Sequence, residues 1–262
     1  MKILVGVPAY RQSVSTTCLQ TLVTLFSSFG KTYDHISLDL KIAQATVVHR
    51  ARNAFASIVW RDPSFTHLLL VDPDIGFRPS LLERMLAFGE PVVGATYPTG
   101  SFDRKVFAAF AREMDTGADA EVCALEYAGG GSSVILVEDP DQHGAKELIL
   151  RDGFMRVRDI GNDLLLIGRE ALERIAEKVP STVLEVAPDP YKQFGITGPV
   201  IQCFDPIPEP VDGFFREDDG FTRRWTEACG GELWACFMEP VQRRVEDTVA
   251  GHFLTKLQLG HV

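Results

Sequence analysis

Thr66-His67-Leu68-Leu69-Leu70-Val71-Asp72-Pro73-Asp74-Ile75-Gly76-Phe77 is the stretch that decides the fold. Its first half is an apolar run without polar alternation, the pattern of a strand covered on both faces by helices, so the sheet around it is expected to be largely parallel. The run ends on two carboxylates, Asp72 and Asp74. That places them at the strand's C-terminal end, where open α/β sheets bind ligands. Two aspartates one residue apart present oxygens to a single hard cation, directly or through water. A ligand's phosphate oxygens complete the octahedron, and Mn²⁺ or Mg²⁺ suits such a set. Asp-Pro-Asp is equally good turn chemistry, so the motif alone supports either reading. Pro73 restricts Asp72 to extended backbone. Asp74 is therefore the expected direct metal ligand, with Asp72 acting directly, through water or on a ribose.

On the N-terminal side, residues 2–8 form a compact apolar strand. Leu19, Leu22, Val23 and Phe26 then recur at helical spacing before Gly30, which is expected to stop that helix. Residues 36–42 alternate as a strand. In the next helix Val48, Ala51, Phe55, Ile58 and Val59 share one face, with Arg50 pointing away and Arg52 at the edge. On the C-terminal side, Ser80-Leu81-Leu82-Glu83 has the capping-box pattern, Gly89 the position of a helix stop, and residues 92–95 the composition of another strand. Residues 100–158 change character to short β-like pieces between glycine- and aspartate-rich turns, predicting antiparallel hairpins and no further βαβ unit. Helical spacing returns over 170–178, an irregular proline-rich stretch spans 180–210, and a helix is expected over 218–228. The pattern points to the α/β class, a largely parallel sheet flanked by helices with a smaller antiparallel section.

The chain has 262 residues, 45% of them hydrophobic, enough for a sizeable core. A formal charge of −10 argues against a nucleic-acid polymer or an anionic membrane as partner, and an anionic ligand would need a local cation. No stretch approaches 18 uninterrupted apolar residues, and the opening run KILVGV is too short for a signal peptide, so a soluble cytoplasmic protein is expected. The five cysteines form an odd set with no Cys-x-x-Cys pair and are expected to be reduced and mostly buried.

Four elements, VPAY at 7–10, ARN at 51–53, THLLLVDPDIGF at 66–77 and VVGATYP at 92–98, together resemble the nucleotide-binding half of glycosyltransferases of the GT-A fold. They are most similar to the bacterial and phage members of the inverting family-2-like group. The resemblance covers residues 3–98, then resumes at 151–172 and 214–235. It implies a single α/β domain over 1–262 with a Rossmann-like, mixed but mostly parallel central sheet, a nucleotide-sugar half to 98 and an acceptor half, hairpins and tail beyond. Carried over by position, Pro8, Ala9, Tyr10 and Arg11 would meet the nucleoside, and Arg52 and Asn53 would reach a phosphate or orient Asp72. Glu217-Asp218 matches an acidic pair that begins a helix, with Asp218 as the implied base on the acceptor hydroxyl. Asp163 and Trp225 would face the acceptor, and His252 would be a third metal ligand. The donor implied is a nucleotide-diphosphate sugar, UDP-sugar ahead of GDP-sugar, and the acceptor a glycan, a lipid-linked glycan or a protein. Two alternatives share the architecture. A nucleotidyltransferase would need a glycine-rich basic loop after the first strand, which PAYRQSVS does not supply. A non-catalytic nucleotide-sugar-binding protein would keep the fold without the chemistry.

Overall fold

The computed structural model describes residues 1–9, 12–44, 47–112, 117–138, 146–207, 219–244, 248–251 and 253–260. Strand β1 (Lys2–Ala9) leads to helix α1 (Thr16–Thr32), β2 (Ser37–Gln44), α2 (Val48–Arg61), β3 (His67–Val71), the short β4 (Ile75–Gly76), α3 (Pro79–Phe88) and β5 (Val92–Ala95). The main sheet has eight strands in the order Leu150–Arg151, Phe154–Val157, Leu233–Cys236, β5, Leu164–Gly168, β3, β1, β2. Only Phe154–Val157 and Leu164–Gly168 run against the others, so the sheet is mixed and mostly parallel, with helices on both faces.

The alternation of β3 explains why its sequence has no polar side. Leu68 and Leu70 enter the core formed with α2 (Ala51, Ala54, Phe55, Val59), while Leu69 and Val71 enter the opposite core with α1 and α3 (Leu22, Leu25, Phe29, Leu82). Both sides exclude water, as the apolar run implied.

Several local expectations are corrected. Helix α1 runs through Gly30, and its buried stripe is Cys18, Thr21, Leu22, Leu25 and Phe29, leaving Leu19 and Val23 exposed. The helix is therefore turned relative to the face predicted from Leu19, Leu22, Val23 and Phe26. Helix α3 starts at Pro79 with Arg78 as its cap, proline at the first turn being pre-set for helix, so Ser80 lies inside it and instead donates to Glu239 at 3.0 Å. Gly89 does end α3 in the left-handed conformation, φ 75°. The 100–158 region contains the predicted antiparallel pairs, Tyr97–Phe102 with Leu125–Ala128 and Leu136–Glu138 with Lys146–Leu148, but also helices Arg104–Phe110 and Gly117–Ala124. The first is capped by Asp103, which accepts from the backbone of Lys105 and Val106; a single residue sets that boundary, so no long periodic pattern announces it. The helix expected over 218–228 is α-helical over Asp219–Arg223 and continues as a π-helix over Arg224–Ala228. All five cysteines are free and buried. Among the described residues no helix is long and apolar enough to cross a membrane.

Candidate functional site

Strands β1 and β3 are parallel, so their C-terminal ends open at the same edge of the sheet. The Leu164–Gly168 strand pairs antiparallel with β3, Leu164 opposite Val71, and therefore begins at that edge. The register carries one residue further: the Asp72 N–H donates to the Asp163 carbonyl at 2.7 Å. Strand pairing thus sets two carboxylates side by side, an arrangement that needs a cation between them.

Arg52 is that cation. It projects from α2, where almost every residue between 51 and 59 is buried, and is itself 3% exposed. One Nη2 donates to Asp72 Oδ1 at 3.0 Å and to Asp163 Oδ1 at 2.8 Å. A second guanidinium comes from a distant strand. Val241–Arg244 pairs with β4, Arg243 opposite Ile75, and the Arg244 N–H donates to the Asp74 carbonyl at 2.8 Å. This seats Arg243 against the loop, Nε on Asp74 Oδ2 at 3.0 Å and Nη1 on Asp163 Oδ2 at 2.8 Å. Two arginines therefore link three aspartates, with Asp163 in the middle.

The electrostatics follow from this arrangement. Burial pushes the Asp72 carboxyl well above the usual range, against Arg52. Burial likewise raises Asp74, against Arg243. For Asp163 burial acts upward too, but Arg52 and Arg243 outweigh it and hold the group below its ordinary value. Asp163 is the anion of the group, and Asp72 the carboxyl most ready to hold a proton. Burial alone would lower Arg243, yet Asp163 and Asp74 keep it raised and cationic.

Two cavities meet here. A larger one of about 600 Å³ is bounded by His49, Arg52, Asp72, Asp159, Asp163 and Arg243, among others. A smaller one of about 430 Å³ lies between Pro8, Ser13, Val14, Asp72, Asp74 and Arg244. Asp72 belongs to both walls. Arg243 and Arg244, adjacent on one strand, face different cavities, as strand alternation requires. Tyr97 lies beneath Arg243, 5.8 Å from guanidinium carbon to ring centre, and its hydroxyl accepts from the Asp163 N–H at 3.4 Å. Gly161 leaves room for that phenol: a Cβ there would sit 1.8 Å from the Tyr97 oxygen. Gly161→Ala is accordingly expected to destabilise the fold by about 1–3 kcal/mol, read from chemical denaturation, because the Tyr97 ring must shift and its hydroxyl leave the Asp163 N–H.

The other anticipated residues distribute unevenly. Pro8 lines the smaller cavity, and Ala9 is buried at the end of β1. Asn53 is fully buried, and its amide is spent within the protein. Nδ2 donates to Asp205 at 2.6 Å and to the Tyr191 hydroxyl at 3.2 Å, while Oδ1 accepts from Phe204 N–H at 2.8 Å. It anchors the proline-rich segment and is not in the lining of either cavity. Trp225, carried over as an acceptor-side residue, is 2% exposed in the core, with Nε1 donating to the Glu232 carbonyl at 2.9 Å and its ring packed against Gly231. Tyr10, Arg11, Glu217, Asp218 and His252 lie outside the described residues.

Asp74 carries the observation that bears on a metal. Its Oδ1 is buried with no hydrogen-bond partner among the described residues. An orphaned carboxylate oxygen, with Asp72 beside it, is donor chemistry that fits Mn²⁺ or Mg²⁺. Asp72 Oδ1, Asp74 Oδ2 and both oxygens of Asp163 are turned toward the two guanidinium groups, and among the described residues no three His, Cys, Asp or Glu side chains converge as a ready metal cluster.

Arg243, Asp159 and His49 were not anticipated. Arg243 reaches the loop through strand pairing across 168 positions, from Ile75 to Arg243, which no local pattern reveals. Asp159 lies with Asp163 in the loop before the Leu164–Gly168 strand and accepts from the Thr222 hydroxyl at 3.4 Å. His49 lies within 4.0 Å of Asp205 at the start of α2. The spacing of Asp159 and Asp163 in one glycine-containing loop was the available signal for the former.

No protein-family model matches the chain, and no curated protein sequence matches it. Among solved structures the chain is similar to the crystal structure of A197 from STIV, at 14% identity and TM-score 0.46, over 95% of this chain and 89% of that one. The functional reading therefore rests on the geometry of the cleft.

Proposed function

We propose that this protein is a GT-A type glycosyltransferase that moves a sugar from a nucleotide-diphosphate donor to a hydroxyl acceptor. The observation that carries the proposal is Asp72-Pro73-Asp74 at the carboxyl edge of the sheet. Asp72 forms a common wall between two cavities, and one buried Asp74 oxygen has no hydrogen-bond partner among the described residues.

In this reading the nucleoside lies in the smaller cavity, between Pro8 and Ser13-Val14, with the uridine donor favoured by the resemblance. Asp74 and Asp72 hold Mn²⁺ or Mg²⁺. The metal supplies charge neutralisation for the departing diphosphate. Arg52 fixes the orientation of Asp72 and Asp163 from below, and Arg244 adds positive charge on the donor side. The sugar and the acceptor hydroxyl share the larger cavity, where Asp163 and Asp159 accept hydrogen bonds from sugar hydroxyls. Asp218 takes the acceptor proton as attack proceeds from the face opposite the diphosphate, which inverts the anomeric centre. The Asp159–Thr222 bond supports this assignment, because it ties the larger cavity to the helix that follows Glu217-Asp218. The acceptor is a glycan, free, lipid-linked or on a protein.

Incubation with a panel of UDP- and GDP-sugars plus Mn²⁺ is expected to release nucleoside diphosphate from at least one donor, and a chelator is expected to stop it. Release unaffected by chelator would remove the metal from the reading; absence of both release and binding across the panel would remove the reading itself.

A pH dependence follows from the raised carboxyls. Metal binding needs Asp72 and Asp74 as anions, and both are held above the ordinary aspartate value of 3.8. Protons must therefore leave as the cation enters, so apparent Mn²⁺ affinity is expected to climb with pH through a window above 3.8 and then level off. Calorimetry in buffers of differing ionisation heat measures the proton release directly.

A further inference from the structure

We propose that Arg243 is an exchangeable internal counter-ion: it holds Asp74 and Asp163 in the empty site, yields Asp74 to the divalent cation, and turns its guanidinium to the donor's diphosphate. The inference rests on the cation-dependent reading above. It adds a residue that neither the motif nor the resemblance supplied.

The two arginines of the cluster differ in a way that assigns them different jobs. The Arg52 side chain is 4% exposed, packed within α2 against the sheet, and bridges Asp72 to Asp163 with a single nitrogen. It also meets the larger cavity, but almost all of its side chain is enclosed by protein. The Arg243 side chain is 19% exposed and borders the larger cavity, so it has a volume of about 600 Å³ into which to turn. Its backbone does not move with it, because Arg243 is paired to Ile75 and the neighbouring Arg244 N–H is bonded to the Asp74 carbonyl. A long side chain on a fixed strand, beside open space, can change partners without disturbing the fold.

Arg243 also satisfies Asp74 by half. It reaches Oδ2 and leaves Oδ1 buried with no partner among the described residues, a costly state for a carboxylate oxygen unless another ligand meets it. Charge counting points the same way. The carboxylates of Asp72, Asp74 and Asp163 sum to three negative charges, and Arg52 returns one, leaving two. One divalent cation balances that remainder, which frees the Arg243 charge for an anionic ligand at the boundary of the two cavities.

The test uses the full chain and manganese alone before any nucleotide is added. Arg243→Gln keeps a hydrogen-bonding side chain and removes the charge; its folding is checked by thermal melt. Free Mn²⁺ is followed by its paramagnetic resonance signal, and UDP binding at saturating Mn²⁺ by calorimetry. The exchange predicts that Arg243→Gln binds Mn²⁺ tighter than the wild type by about tenfold or more, the scale of one charge-assisted hydrogen bond. UDP affinity at saturating Mn²⁺ is expected to fall by a similar factor. Arg243→Lys, which keeps the charge without the fork, is expected to lie between the two on both measures and stands in if the glutamine variant does not fold. Equal or weaker Mn²⁺ binding by the variants, with the metal still bound by the wild type, overturns the exchange and leaves the proposed function standing. No Mn²⁺ binding by any of the proteins overturns the exchange together with the metal-dependent reading.

Discussion

Asp74→Ala is expected to reduce donor turnover by at least about a hundredfold, since a metal clamp on the leaving group contributes several kcal/mol to the barrier and each 1.36 kcal/mol is a factor of ten. The reasoning is specific to Asp74. Its Oδ1 is buried with no hydrogen-bond partner among the described residues, whereas both oxygens of Asp163 are engaged and Asp72 is held by Arg52. The loss should appear in kcat with the fold intact, because Asp74 is partly exposed at the loop and its removal leaves Arg243 still bonded to Asp163. Asp74→Asn, which keeps the shape and removes the charge, is expected to lose nearly as much. Wild-type turnover in both variants would detach the chemistry from this loop.

Arg52→Met should lower the unfolding free energy by about 3–5 kcal/mol, the cost of stranding buried carboxylates by removing their partner. The side chains of Asp72 and Asp163 are 14% and 12% exposed, so neither can recover its hydration in place. The double variant Arg52→Met, Asp72→Asn should recover part of the loss, because Asp72 is the carboxylate left without a guanidinium while Asp163 keeps Arg243. Equilibrium urea unfolding of the wild type, the two single variants and the double variant gives the coupling directly. A loss below about 1 kcal/mol for Arg52→Met would class the pair with exposed salt bridges and contradict the buried geometry.

What could be read in advance depended on how local the cause was. The apolar run of β3 needs helices on both faces wherever it sits, and the two cores supply them through Leu68 and Leu70 on one side, Leu69 and Val71 on the other. The carboxylates at its end were equally visible, because strand direction alone fixes which edge they reach. Arg52 was placed at the margin of its helix and is instead deeply buried: once Asp72 and Asp163 lie opposite each other, their charge offsets the cost of drawing a guanidinium inside. That opposition depends on a non-local register, Leu164 against Val71, which helical periodicity cannot report. Arg243 was hidden for the same reason, since its partner strand is β4, two residues long. Asn53 sits in a motif suggestive of phosphate contact, but its amide geometry matched Phe204, Tyr191 and Asp205 of a segment far along the chain.

The central claim is that a nucleoside diphosphate and a divalent cation meet at Asp72-Pro73-Asp74, and a crystal of the protein soaked with Mn²⁺ and UDP tests it most directly. Anomalous scattering locates the manganese without reference to the protein density. The account predicts a manganese peak coordinated by Asp74 Oδ1, with the diphosphate on its far side and the uridine between Pro8 and Val14. Manganese bound away from Asp74, or UDP seated elsewhere on the sheet, would contradict it.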